Sequence, residues 1–141
     1  MNMMEMVLAL FAVVFFTSLA ANYNRILIEQ NDYLINAAQH VQATHLCHGV
    51  LDEVDAKLFA KKITYNQIIN YDSTTRIIDL NFPGDRYELE LSAAYCDSVG
   101  NVLAEDDVLS MYRKITVEAS TPGLKYPVQM QRIYAKIHYY N

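Results

Sequence analysis

Helix breakers are nearly missing from the first half of this chain. No proline occurs before Pro83, and Gly49 is the only glycine before Gly84. Nothing ahead of Pro83 therefore forces a turn, and a long uninterrupted helix is allowed. Basic residues are missing too: no Lys or Arg precedes Arg25. A secretory signal peptide needs a basic n-region, so cleavage after Ser18-Leu19-Ala20-Ala21 is not expected. Lys and Arg total 11 against 16 Asp and Glu, for a net charge of −5, and the cations are scattered. Nucleic-acid binding is not supported. With two cysteines and no closed Cys/His set at zinc spacing, a structural zinc site is not supported either. Cys47-His48 lacks the preceding cysteine of a haem-attachment motif. No nucleophile with its base, phosphate loop or metal-hydrolase helix is visible, so the chain does not read as an enzyme.

What is present begins with Met1-Asn2-Met3-Met4-Glu5-Met6 and continues as an apolar run from Val7 to Ala21. Counted from Met6 to Ala21, the run is slightly short of the roughly 20 residues that span a bilayer, and interfacial Tyr23 and Arg25 follow it. A single membrane-anchored helix is expected. Glu5 is the only charged side chain before Arg25. A carboxylate in or beside a spanning segment costs on the order of 3 kcal/mol by insertion scales, so Glu5 is expected to have a partner or a function. The missing basic leader is explained if it has been removed and Met1 is a processed terminus. The bland alternative is a carboxylate solvated at the headgroup level of an ordinary anchor.

From Arg25 to Lys62 the helix is expected to continue with one apolar stripe. Leu34, Ala37, Ala38 and Val41 begin it, and Ala43, Leu46, Cys47, Val50, Leu51, Val54 and Leu58 extend it at spacings of three and four. A continuous helix to about Phe59 is about 85 Å long at about 1.5 Å per residue. Its first half is apolar all round and needs lipid or protein around it; its second half lies on something. Four strands supply that something. Arg76 to Phe82 ends at the turn Pro83-Gly84-Asp85. Tyr87, Leu89, Leu91, Ala93 and Tyr95 alternate with Glu88, Glu90 and Ser92. Tyr112 to Ala119 turns Ile115 and Val117 inward, and Val128 to Tyr139 carries Ile133, Ala135 and Ile137 on one face. Short connections favour antiparallel neighbours. The expected fold is α+β, a long N-terminal helix packed on a four-stranded antiparallel sheet. Residues 1–28 form the hydrophobic half-helix, and residues 29–141 the globular domain.

Behind a membrane anchor, two cysteines point to one disulfide, Cys47–Cys96. Cys47 lies on the stripe facing the sheet. Cys96 by parity lies on the Glu88/Glu90 face, so the bridge needs a bulge or a strand end that turns Cys96 inward. His40, His45 and His48, with Cys47, Asp52 and Asp55, read as solvated helix residues rather than ligands. Glu105-Asp106-Asp107, with Asp97 and Asn101, offers calcium its oxygen ligands. The spacing is not that of an EF-hand, and a solvated acidic loop is the simpler reading. No cofactor is expected. Phe11, Phe15, Phe16, Tyr23 and Tyr33 read as packing and interfacial aromatics.

The unbroken helix, the acid at position five within Met1, Met3, Met4, Glu5 and Met6, and the antiparallel sheet together resemble a mature type IV pilin or pseudopilin. Tyr87-Glu88-Leu89-Glu90-Leu91 and Tyr112 to Glu118 look like the sheet of prepilin-type proteins. Methionines stand where the commonest motif has phenylalanine, leucine and isoleucine, and Asn22 stands about where many pilins carry an early proline. The resemblance implies a bacterial structural subunit whose leader is cut by prepilin peptidase and whose Met1 is methylated. It implies residence in the inner membrane, then homopolymerisation by the assembly machinery into a pilus or other cell-surface filament. It also implies that Glu5 pairs with the N-terminal ammonium of a neighbouring subunit. A periplasmic pseudopilin of a type II secretion system, or a monomeric membrane-anchored binding domain, are the alternatives.

Overall fold

A computed structural model describes residues 2–80, 86–103 and 110–136. Helix α1 runs without interruption over Met3–Phe59. It ends through backbone geometry alone. The Lys61 N–H donates to Leu58 O at 3.0 Å and the Lys62 N–H to Lys57 O at 2.9 Å, with Lys61 at φ +55°. This is the paired-bond helix stop that glycine usually provides. A lysine there costs about 1 kcal/mol of left-handed strain.

The chain divides into two compact units, Met1–Ala38 and Gln39–Asn141, and α1 contributes to both. In the first unit every described side chain except half-buried Asn36 is exposed, the apolar ones included. Within its apolar run the hydroxyls of Thr17 and Ser18 are satisfied by the helix itself: Thr17 donates to Val13 O, and Ser18 donates to Val14 O at 2.8 Å. An apolar solvent tolerates these two hydroxyls because each is bonded to a backbone carbonyl one turn back.

The second unit holds the core. Four antiparallel strands stand in the order β1-β2-β3-β4, at Thr74–Asp79, Arg86–Cys96, Tyr112–Ser120 and Val128–Ala135. β2 alternates buried and exposed positions over most of its length, and β3 alternates buried and half-buried ones, with the parity their sequences predict. Leu91 faces Val117 and Ala93 faces Ile115 across the ladder. Against this face α1 lays Ala43, Cys47, Val50, Leu51, Val54 and Leu58. The buried stripe starts at Gln39; Leu34 and Val41, expected to belong to it, are exposed. The α+β architecture follows from two periodicities meeting on one plane, about 3.6 on the helix and 2 on the strands.

Three elements depart from expectation. A 3₁₀ turn over Tyr65–Tyr71 lies between helix and sheet and buries Tyr65 and Ile68. β1 starts at Thr74 rather than Arg76 and ends at Asp79; the expected turn at Pro83 lies outside the described residues. β4 turns its other face to the core. Val128 and Tyr134 are buried and Met130 is packed against them, whereas Ile133 is 40% exposed. The expected face of Ile133 and Ala135 is the outer one; Ile137 and Tyr139 lie outside the described residues. This register buries Val128 and Tyr134 and packs Met130 on the core, and it lets Arg132 reach the helix, where Nη1 donates to Asp52 at 3.0 Å and also to Asp55.

The opposite edge of the sheet carries a matching clamp. Arg76 of β1 donates to Glu53 Oε2 at 2.7 Å, and Lys57 binds the other oxygen. These hydrogen bonds, Arg76 first and Lys57 second, hold the Glu53 carboxyl down to about 2, against an ordinary value of 4.5. A depressed carboxylate stabilises the fold fully above its unfolded value and loses that contribution as pH falls toward its folded value. Between about pH 4.5 and 2 the wild-type domain is expected to lose more stability than Glu53→Gln. Urea titrations at several pH values check this; parallel pH dependences refute it.

Candidate functional site

Glu5 sits in the first turn of α1. Its Oε2 accepts the Asn2 N–H at 3.1 Å, and its own N–H donates to Asn2 O at 2.9 Å. Glu5 thus caps its own helix, where the open amides favour negative charge. A carboxylate accepts about four hydrogen bonds, and a single one is filled here by a described residue. Met1 lies outside the described residues.

Around Glu5 the surface is apolar. Met3, Leu8, Leu10, Phe11, Val13 and Phe16 are each at least 66% exposed. Met3–Phe59 is long and apolar enough, over its first part, to cross a membrane. Exposed apolar side chains continue beyond a bilayer's length, through Ile26, Leu27, Ile28, Tyr33, Leu34 and Ile35. Among them the described ion pair is local, Arg25 to Glu29 at 2.9 Å, one turn apart. Such a pair contributes only about 0.3–0.5 kcal/mol.

The expected Cys47–Cys96 bridge is corrected: both cysteines are free and buried. Cys47 Sγ points at Val117 O and Val128 O, at 3.9 and 3.8 Å. Cys96 pairs with Tyr112, at the other end of β3. Tyr112 and Val117 are five positions apart, about 16 Å along a strand, and a bridge needs Cα atoms within about 7 Å. No bulge turns Cys96 inward. The ladder is continuous from Glu88 to Cys96, so Cys96 keeps the outer parity, beside Lys114. The segment after β2 pairs there through a bridge from Val102 to Cys96. Burial pushes the Cys47 thiol up to about 11 and raises that of Cys96 too. Both are therefore expected to resist alkylation by iodoacetamide at pH 8 in the native protein and to react once unfolded. Mass analysis of the adducts checks this, and native labelling at either site refutes it.

Other candidate ligands are engaged elsewhere. His40, His45 and His48 are exposed along α1, and Asp52 and Asp55 bind Arg132. Among the described residues no three His, Cys, Asp or Glu side chains are grouped to hold a metal. Asp97 organises its own loop. Oδ1 accepts the N–H groups of Val99, Gly100 and Asn101, and Oδ2 accepts the Asn101 amide at 2.9 Å. The Asn101 bonds hold its carboxyl below the usual range. Gly100, at φ +98°, permits this turn and packs against Ile133. Glu105, Asp106 and Asp107 lie outside the described residues.

Sequence reasoning overlooked Gln39 and Arg113. The Gln39 side chain is buried against Gly123, where any β-carbon would overlap its amide. Arg113 is buried at the start of β3, and nothing in its sequence context separates it from neighbouring Lys114, which stays half-exposed. No protein-family model, curated protein or solved structure matches the chain.

Proposed function

We propose that this chain is a structural subunit of a type IV pilus or pilus-like filament, held by its first helical unit and displaying the α+β unit. The observation that carries the reading is the length of exposed apolar helix. A bilayer covers about 20 residues, which from Met3 reaches about Tyr23. Ile26, Leu27, Ile28, Leu34 and Ile35 remain uncovered and exposed. An anchor that served only to hold one domain at a membrane would need no apolar surface there. Copies of the same helix, packed side by side, cover both stretches. Association of this kind is driven by burial of apolar area at about 25 cal/mol per Å².

Glu5 then acts as a register device. In a dry bundle an unpaired carboxylate is heavily penalised. Paired with the N-terminal ammonium of a neighbour, it is tolerated, and a misplaced subunit leaves two buried charges open. The filament passes through an inner-membrane stage before assembly at the cell surface, with processing by a prepilin peptidase.

Electron microscopy of sheared surface material, with the chain identified by mass spectrometry, tests the reading. Long filaments built of this chain are expected. Short filaments confined to the periplasm point to a secretion pseudopilin, and a chain that stays monomeric in the membrane overturns the proposal. Intact-mass measurement of the filament subunit is expected to show one methyl group on its N-terminal amine.

A further inference from the structure

The sheet ends on two edges that differ. β1 is short and guarded: its 6 residues follow Ser73, at φ +55°, and finish on Asp79, an exposed acid beside Arg86. Short strands and edge charges are how sheets keep other chains from pairing with them. β4 carries no such guard. Val128–Ala135 contains no Asp, Glu, Lys, Pro or Gly, and its arginine, Arg132, is turned to the helix acids Asp52 and Asp55. All 8 of its residues pair with β3 in one register, without a bulge.

That register fixes which backbone groups β4 turns outward. The Lys136 N–H donates to Met111 O at 2.9 Å. Bonded positions alternate along an antiparallel pair, so Tyr134, Arg132, Met130 and Val128 bond to β3. Gln129, Gln131, Ile133 and Ala135 then aim their N–H and C=O groups away from the sheet. Gln129, Gln131 and Ile133 are exposed, and among the described residues no strand pairs with this edge. A row of outward backbone groups is a template for another strand.

We propose that β4 pairs antiparallel with β4 of a second copy, about a two-fold axis at Gln131. A two-fold contact uses the same patch on both copies, and this strand is complementary to itself in one register. Gln131 lies opposite the partner's Gln131, and Gln129 opposite the partner's Ile133. Each of these facing pairs exchanges both of its N–H···O bonds. The partner's Ala135 meets Pro127, which has no N–H and closes the ladder. On the inner face Arg132 meets the partner's Met130. Moving the axis to Arg132 sets two guanidinium groups opposite each other, a cross-strand repulsion. Moving it to Met130 sets Pro127 opposite Ile133 and forfeits bonds. The result is one continuous sheet across two copies. The proposal does not rest on the filament reading, because β4 belongs to the unit Gln39–Asn141.

The test uses the full chain in detergent micelles, with single cysteines placed on β4 and mild oxidation. The native thiols are buried, so the introduced one is the exposed thiol. Linked dimers are read on non-reducing gels. Gln131→Cys is expected to link to itself, because facing Cα atoms in a bonded pair lie about 5.5 Å apart, within disulfide reach. Gln129→Cys alone is not, since its own copy is displaced by about 13 Å along the strand. A mixture of Gln129→Cys and Ile133→Cys chains is expected to link. Adding Gln131→Lys to both members of that mixture places like charges at the axis and is expected to cut the yield about three- to fivefold. No linkage at Gln131→Cys, equal linkage at Gln129→Cys and Gln131→Cys, an unchanged yield with Gln131→Lys, or linkage of Gln131→Cys to Ile77→Cys on β1 overturns the proposal.

Discussion

Glu5→Val is expected to abolish filaments while leaving the α+β unit folded. Glu5 belongs to the unit Met1–Ala38, and the core cluster of the other unit, which begins at Ala43, does not include it. Within one chain its carboxylate accepts a hydrogen bond from Asn2, and losing such a cap costs about 1 kcal/mol. That is too little to unfold a helix that lipid or neighbours surround. The assembly cost is larger. Removing one member of a buried ion pair costs about 3–5 kcal/mol because the partner charge stays open. At about 1.4 kcal/mol per decade, association is weakened at least about a hundredfold. Filament yield by microscopy and the melting of the purified domain are read side by side. Normal filament yield from Glu5→Val sinks the register mechanism; loss of yield with an unchanged melting temperature is the expected pattern.

Leu51→Ala and Leu34→Ala are expected to separate folding from assembly. Both leucines lie on α1, yet Leu51 is 1% exposed and Leu34 is 70% exposed. Leu51 fills the seam between the helix and the sheet. Its truncation leaves a cavity and is expected to cost about 2–5 kcal/mol, a large fraction of a small domain's stability. Leu34 is largely exposed and outside the core cluster, so Leu34→Ala is expected to leave urea unfolding of the monomer within about 0.5 kcal/mol of wild type. In the proposed filament the same side chain would lie against a neighbour, and its loss is expected to weaken assembly. Equal stability losses in the two monomers contradict the burial pattern. Full assembly by Leu34→Ala contradicts coverage of that surface by other copies.

Legibility in the sequence varied with how far each residue's fate depends on near neighbours. The strand over Tyr87 to Tyr95 is legible because apolar and acidic residues alternate, and its register with β3 follows from the same alternation. β4 misleads for a specific reason. Ile133 and Ala135 look like core and Arg132 looks like surface, but the helix offers Asp52 and Asp55 at the place where Arg132 arrives. The inward face carries Val128, Met130 and Tyr134, and distant acids receive the arginine that lies among them. The 3₁₀ turn at Tyr65–Tyr71 was detectable in principle, since Tyr65 and Ile68 stand three residues apart and are both buried. The disulfide was argued from compartment and parity of number. Neither consideration contains distance, and the structure sets Cys96 against Tyr112 at the start of β3 and Cys47 beside Val117, five residues on. Arg113 gave no signal at all: its burial exists only because the Tyr65 turn closes over it.

The sequence by itself determined the long unbroken helix, its apolar first half, the isolated acid in its first turn and the alternating central strands. Each of these is a local matter, set by the absence of helix breakers and by periodicities of about 3.6 and 2. The tertiary structure decided that the cysteines stay apart, that Arg132 faces inward and that Arg113 is buried. Those outcomes depend on which segments meet across the fold. Desolvated charge and Cα separation are properties of such meetings, and no stretch of sequence carries them alone.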